Sequence, residues 1–270
     1  MRALAAIMAL AATPAVAECD AGGHCEIPLG TYHISVPEGA TDAPLILWVH
    51  GFGGSGAGAM RNAAAIARYA DRGYAYAAVD GLPRGDTDDR RSWSFHPDRP
   101  QQRDEAAFLA AVADDIVAQF PIDRGRIVLT GFSIGGSLTS YIACSDPELF
   151  DAYAPVAGSF WRPHPAGCTG PVDLFHTHGW RDGTVPLEGR PLGGGAIEQG
   201  DVWYAMQIWR QTNGCVRHVA DEFDETDLYL IRRWTTCEAG TLEFALHPGG
   251  HGIPEGWSTM MLDWYEALPE

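Results

Sequence analysis

The chain has 270 residues and a formal net charge of -17, with 35 Asp and Glu against 18 basic residues, every one of them arginine. Without lysine, a Schiff-base lysine, a Ser-Lys dyad and a P-loop lysine are excluded. The acidity argues against a nucleic-acid partner or an anionic membrane surface, because binding phosphate needs clustered cations. Codon bias accounts for the missing lysines as readily as function does, and the exclusions hold either way. A hydrophobic content of 46% is ordinary for a globular chain able to bury a sizeable core.

Residues 1–17 read as a secretory signal. Arg2 supplies a positive start, residues 3–12 are apolar, and Ala15-Val16-Ala17 is a small-x-small cleavage site. The apolar run is too short for a stable membrane anchor. Glu18 stands where a lipid-attachment signal wants a small residue, so Cys19 is not read as lipidated. The expected product of cleavage after Ala17 is residues 18–270, one catalytic domain, secreted to the periplasm or the medium, without a membrane anchor and monomeric. Its charge is -18, since only Arg2 is lost. All six cysteines, Cys19, Cys25, Cys144, Cys168, Cys215 and Cys237, follow the signal, and an even count in an exported chain favours disulfides. Six cysteines allow about 15 pairings. The expected set is nearest neighbours: Cys19–Cys25, Cys144–Cys168 and Cys215–Cys237. With no Cys-x-x-Cys pair, no metal site is expected.

Further along, short apolar runs alternate with helical patterns. Strands are predicted over 45–49, 74–79, 126–130, 152–156, 172–176 and 242–246. Helices are predicted over 63–70, 106–120, 137–143, 202–210 and 258–267. In 106–120, Phe108, Leu109, Val112, Ile116 and Phe120 share one face. Strands alternating with helices mean a mainly parallel sheet covered on both faces. Such folds place their chemistry beyond the carboxyl ends of the strands.

After the strand at 126–130 comes Gly131-Phe132-Ser133-Ile134-Gly135-Gly136, a Gly-x-Ser-x-Gly between strand and helix. So sharp a turn excludes flanking side chains and lifts the serine hydroxyl to a helix amino end that favours an anion. His50-Gly51-Phe52-Gly53-Gly54 follows the strand at 45–49. Its expected task is to offer the Phe52 N–H to a developing oxyanion, with the Ile134 N–H as second donor. A phosphate cradle would show Lys-Ser or Lys-Thr next, and neither is present. His50 is read as holding this loop.

On a strand–elbow–helix architecture the chain order is serine, acid, histidine. Asp182 lies in the loop after the strand at 172–176. His251 lies between glycines after the strand at 242–246. Ser133, Asp182 and His251 are therefore the expected nucleophile, acid and base, with no cofactor. His247 is the competing base, and Asp173 is expected to be buried or paired within its strand. His176 and His178 are two residues apart on a strand and face one side. A third metal ligand is not evident, so core or supporting histidines are the preferred reading. The acidic run 221–225 reads as a solvated loop inside the Cys215–Cys237 bridge.

Together these residues resemble the secreted polyhydroxybutyrate depolymerase and feruloyl esterase group of α/β-hydrolases, related to carbohydrate esterase family one. The resemblance runs from about Gly30 to Leu268. It rests on His-Gly-Phe-Gly-Gly at 50–54, Asp104 with Phe108-Leu109, Asp123 and Arg126 before the Ser133 elbow, and Ala154-Pro155-Val156-Ala157-Gly158. It continues through His178-Gly179 with Asp182 and Val185-Pro186, Asn213-Gly214-Cys215, and Gly250-His251. It implies an α/β-hydrolase fold and a serine esterase acting on hydroxyalkanoate, hydroxycinnamoyl or acetyl-polysaccharide esters. Ile134 and Trp180-Arg181 depart from the pattern beside the expected acyl pocket, so the acyl preference stays open. A polymer-binding module with its linker is not expected here, which favours soluble esters. Trp93, Trp161 and Trp180 are candidates to stack on an aromatic acyl group or a sugar, with core packing as the alternative. The charge favours neutral esters over polyanions. A non-catalytic glycan- or polyester-binding relative and a serine peptidase remain the competing readings.

Overall fold

A computed structural model of the chain describes residues 18–20, 23–85 and 88–269; the expected signal segment 1–17 lies outside them. The described chain opens with β1 (Glu18–Cys19), β2 (His24–Ile27) and β3 (Gly30–Ser35). β4 (Ala43–Val49), α1 (Gly56–Ala59), α2 (Ala63–Ala70) and β5 (Ala75–Val79) follow. A hairpin of β6 (Leu82–Gly85) and β7 (Asp88–Ser92) precedes α3 (Glu105–Gln119), β8 (Ile122–Phe132), α4 (Ile134–Ser145) and β9 (Ala152–Val156). Then come β10 (Trp161–Arg162), β11 (Leu174–Gly179), β12 (Arg190–Leu192), β13 (Ile197–Gln199) and α5 (Val202–Thr212). β14 (Glu222–Glu225), β15 (Leu230–Trp234), β16 (Leu242–His247) and α6 (Trp257–Glu266) complete it.

The large sheet has the order β1-β2-β3-β5-β4-β8-β9-β11-β16-β15-β14. From β5 to β16 every pairing is parallel. The flanks, β1 to β3 on one side and β15 with β14 on the other, are antiparallel. The period of two along each strand divides the core. Leu45, Leu47 and Val49 face one core with Ile127 and Leu129, while Ile46 and Val128 face the other. Phe108, Leu109, Val112 and Ile116 of α3, Leu138 and Ile142 of α4 and Trp209 of α5 cover the first face. Tyr69 of α2 and Trp257, Met261 and Leu262 of α6 cover the second. Each large side chain so buried contributes about 1.5–3 kcal/mol. Local chemistry sets the helix ends. Asp104 caps α3 by accepting from the Ala107 N–H, and Pro121 follows its last turn.

Two elements differ from the sequence expectation. The strand expected at 172–176 is β11, and it runs on through His176, Thr177, His178 and Gly179, all buried. Apolar patterning misses its end because the buried residues there are polar and satisfy one another. Asp173 lies just before that strand, accepting from the N–H and hydroxyl of Thr241. The acidic run is not a loop: β14 pairs antiparallel with β15 as an exposed edge strand. Charged edges of this kind resist pairing with another chain.

The structure joins Cys19 to Cys25, Cys144 to Cys168 and Cys215 to Cys237. The first clips β1 to β2, the second ties the end of α4 to the segment between β10 and β11, and the third ties the segment after α5 to the segment after β15. Each bridge typically contributes about 2–4 kcal/mol. Among the described residues no helix is long and apolar enough to cross a membrane.

Candidate active site

β4, β8, β11 and β16 run parallel, so the loops after them gather at one sheet edge. Ser133 follows β8 with φ 59° and ψ -121°, a left-handed conformation that strains a residue with a side chain. Its N–H donates to the Val156 carbonyl at 2.9 Å, and its own carbonyl accepts from Ser137 N–H. The crowding requires glycine. A Cβ on Gly135 would lie 2.3 Å from the Val49 carbonyl oxygen, and one on Gly158 would lie 2.1 Å from that of Ser133. The elbow is thus wedged between β4 and the β9 loop.

Asp182 and His251 stand in the loops after β11 and β16, the second and third strands beyond β8 in the sheet. His251 Nε2 lies 2.9 Å from Ser133 Oγ, and His251 Nδ1 lies 2.7 Å from Asp182 Oδ2. A carboxylate only accepts, so the assigned tautomer has Nδ1–H donating to Asp182 and Nε2 accepting the serine O–H. Asp182 Oδ1 accepts from the Thr184 and Val185 N–H groups at 2.8 Å each. Burial pushes the Asp182 carboxyl up, but the His251 hydrogen bond and the two N–H donors outweigh it and hold it below its ordinary value. The Phe132 ring packs on His251 at 4.8 Å between centroids. His247 lies elsewhere: it is buried, its Nδ1 accepts from the Gly249 N–H, and its carbonyl accepts from Trp180 N–H.

On the opposite side, Ile134 opens α4, so its N–H has no acceptor within the helix. The Phe52 N–H makes no backbone hydrogen bond among the described residues. The loop carrying Phe52 is braced from below. His50 is buried; its Nδ1 donates to the Gly51 carbonyl at 2.7 Å and its Nε2 accepts from the Gly81 N–H at 3.0 Å. Burial keeps the ring neutral by pushing its pKa down. Trp93 donates from Nε1 to the His50 carbonyl and is only 6% exposed. It therefore braces the loop that carries Phe52, the core-packing alternative, which corrects its reading as a stacking platform. Its indole was a ready hydrogen-bond donor for a buried carbonyl.

Trp161 and Trp180 differ. Trp161 is partly exposed, donates from Nε1 to Ser137 Oγ one helical turn beyond Ser133, and packs edge-on against Phe95. Trp180 is 59% exposed, two residues before Asp182.

Sequence reasoning missed the residues under the oxyanion loop. Buried Asp80 accepts from Gly56 N–H and Thr31 Oγ and pairs with His33 at 3.3 Å. Arg103 donates to the Asp80 carbonyl and forms a buried ion pair with Glu105 at 2.7 Å. Burial pushes the Glu105 carboxyl up and the Arg103 guanidinium down, and their pairing opposes both. Asp80 was findable, standing at the carboxyl end of β5. Arg103 and Glu105 were not, because a charged pair beside a helix cap reads as solvated.

The sheet order and the elbow between β8 and α4 define the α/β-hydrolase fold, and the chain is an α/β-hydrolase by fold. The acetyl xylan esterase of Aspergillus awamori superposes with a TM-score of 0.67 at 15% identity, covering 93% of this chain and 98% of that one. A Bacillus cereus carboxylesterase superposes with 0.58 at 13% identity over 88% and 94%. In sequence, the prolyl oligopeptidase family (peptidase S9) matches residues 60–161, a stretch that holds Ser133 but neither Asp182 nor His251. The Nocardia uniformis subsp. tsuyamanensis protein NocK, whose esterase name is provisional, is 31% identical over 57% of this chain and 44% of its own length. Feruloyl esterase C of Emericella nidulans is 28% identical over 32% of each chain. Poly(3-hydroxyalkanoate) depolymerase C of Paucimonas lemoignei is 30% identical over 26% of this chain and 17% of its own. These relatives come from the esterase and depolymerase group that the motifs resemble, and each match spans at most about half of the relative's length.

Proposed function

We propose that this chain is a serine carboxylic-ester hydrolase working through an acyl-enzyme. The observation that carries this is the unbroken hydrogen-bond line from Ser133 Oγ through His251 to Asp182. In the reaction, Ser133 Oγ attacks the ester carbonyl while its proton passes to His251 Nε2. The oxyanion forms between the Phe52 and Ile134 N–H groups, which are preorganised donors. His251 then gives its proton to the departing alcohol. Water attacks the acyl-enzyme as His251 removes its proton, and the acid leaves with Ser133 restored. Asp182 remains a carboxylate throughout and stabilises the imidazolium.

The substrates proposed are neutral esters of hydroxyalkanoate oligomers or of acetylated or hydroxycinnamoylated plant polysaccharides, in keeping with the names of the relatives. Trp161 and Trp180 would border them. The disulfides favour an oxidising compartment, and with the signal-like residues 1–17 they support secretion. The test is a panel of short nitrophenyl esters, methyl ferulate, acetylated xylan, hydroxybutyrate oligomers and a peptide amide. The wild-type chain should cleave at least one ester, and Ser133→Ala should lose about 10³-fold or more of that rate while keeping its fold. Undiminished turnover in the variant overturns the reading, and preferential amide cleavage would favour a peptidase.

A further inference from the structure

β11 carries two histidines that the mechanism above does not use. His176 and His178 sit on one face of the strand, 1% and 0% exposed, with rings 5.4 Å apart. Buried polar rings are costly unless satisfied. The hydrogen bonds here run in one direction. His178 Nε2 lies 2.8 Å from the Val185 carbonyl oxygen, so it carries the proton and donates. His178 Nδ1 is then an acceptor, facing His176 Nε2 at 3.2 Å, which donates. His176 Nδ1 ends the line, buried and without a hydrogen-bond partner among the described residues. The line fixes one tautomer of each ring.

The carbonyl at its other end belongs to the turn that holds the acid. Val185 N–H donates to Asp182 Oδ1, and Val185 C=O accepts from His178. The same His178 Nε2 stands 3.6 Å from Asp182 Oδ2, the oxygen bound to His251. That is too long for a hydrogen bond but close enough to exclude water from this side of the carboxylate.

We propose that His178 is a positioning residue for Asp182: its Nε2–H clamps the Val185 carbonyl, closes the turn from Asp182 to Val185 around the carboxylate, and so aims Oδ2 at His251. The inference rests on the Ser133–His251–Asp182 reading. Its effect is transmitted through Asp182 alone, so it alters the base rather than substrate binding. The groups around His178 are His176 on its own strand, Asp182 and Val185 in the loop after it, His247 at the end of β16 and His251 beyond it. A looser Asp182 stabilises the His251 imidazolium less, so proton transfer from Ser133 slows.

The experiment compares His178→Leu, His178→Gln and His178→Asn with the wild-type chain on a nitrophenyl ester, across pH. Leu removes the donor. It should lower kcat about 10- to 100-fold, as loss of an outer partner commonly does, with KM within about twofold. Gln carries an amide near the Nε2 position and should restore kcat to within a few-fold. If the Leu variant does not fold, Gln against Asn decides, because the Asn amide sits at the Nδ1 position and cannot reach Val185. Gln should then exceed Asn about tenfold. Wild-type kcat in the Leu variant, or equal rates for Gln and Asn, would overturn the proposal. Ser133→Ala separates the two readings. If it is inactive while the His178 variants behave as wild type, the triad stands and only the clamp fails.

Discussion

Two buried histidines brace the two halves of the candidate site, and their surroundings are opposite. His50 underpins the loop of Phe52, and beneath it lies a charged network: Asp80 with His33, and Arg103 with Glu105. His178 underpins the loop of Asp182, and its own partner on the strand is another neutral histidine, His176. The contrast has an electrostatic reason. In the proposed mechanism the Phe52 loop works through backbone N–H dipoles, and a compensated ion pair beneath it leaves those dipoles unopposed. The acid loop works through one carboxylate. A cation there would compete with His251 for Asp182 and weaken the base. A neutral imidazole donates a hydrogen bond without that penalty.

The strongest way to break this contrast is to remove the buried carboxylate that the His178 loop holds. Asp182→Asn should cut kcat about 10⁴-fold by disturbing the His251 tautomer, with little change in KM or in urea midpoint. A loss under about tenfold would remove Asp182 from the acid's role. The charged side should answer in stability. Glu105→Ala leaves Arg103 buried and unpaired, and urea unfolding should show a loss of about 3–5 kcal/mol. Loss below about 1 kcal/mol would mean that the pair is solvated in solution.

Acidification tests both braces together. Burial holds His50, His176, His178 and His247 below their ordinary pKa. In the unfolded chain they titrate near about 6.5. Between that value and their lower folded values the unfolded state binds more protons, so stability falls as pH drops below about 6.5. Tm should therefore decline from about pH 7 toward about pH 5, and His176→Phe should flatten the slope. A Tm that rises over this range would contradict neutral burial. The smallest effect lies outside both braces. Trp180→Ala should change stability by less than about 0.5 kcal/mol while raising KM for bulky esters. Unchanged KM across the whole ester panel would take Trp180 out of the substrate surface.

Much of this was legible in the chain itself. Periodicity placed β4, β8, β9, α2 and α3 within a residue or a few, because their burial is apolar and repeats every two or 3.6 residues. The glycines around Ser133 announced the elbow because no other residue fits there. Asp182 and His251 followed from chain order and from their place after strands. The carboxyl half of β11 was not legible, since its buried residues are His and Thr. Trp93 was misplaced for a related reason: an indole in a loop looks the same whether it meets a sugar or a buried carbonyl.

The sequence by itself determined the parallel sheet, the serine elbow, the order of the candidate triad and the absence of lysine chemistry. These depend on side-chain size, polarity and local backbone geometry, which act over a few residues. Tertiary structure alone decided that His178 meets Val185, that Arg103 meets Glu105 beneath Asp80, and that Trp93 holds His50. Those contacts join polar groups distant in the chain or hidden from apolar patterning, and only burial together makes each of them the other's necessary partner.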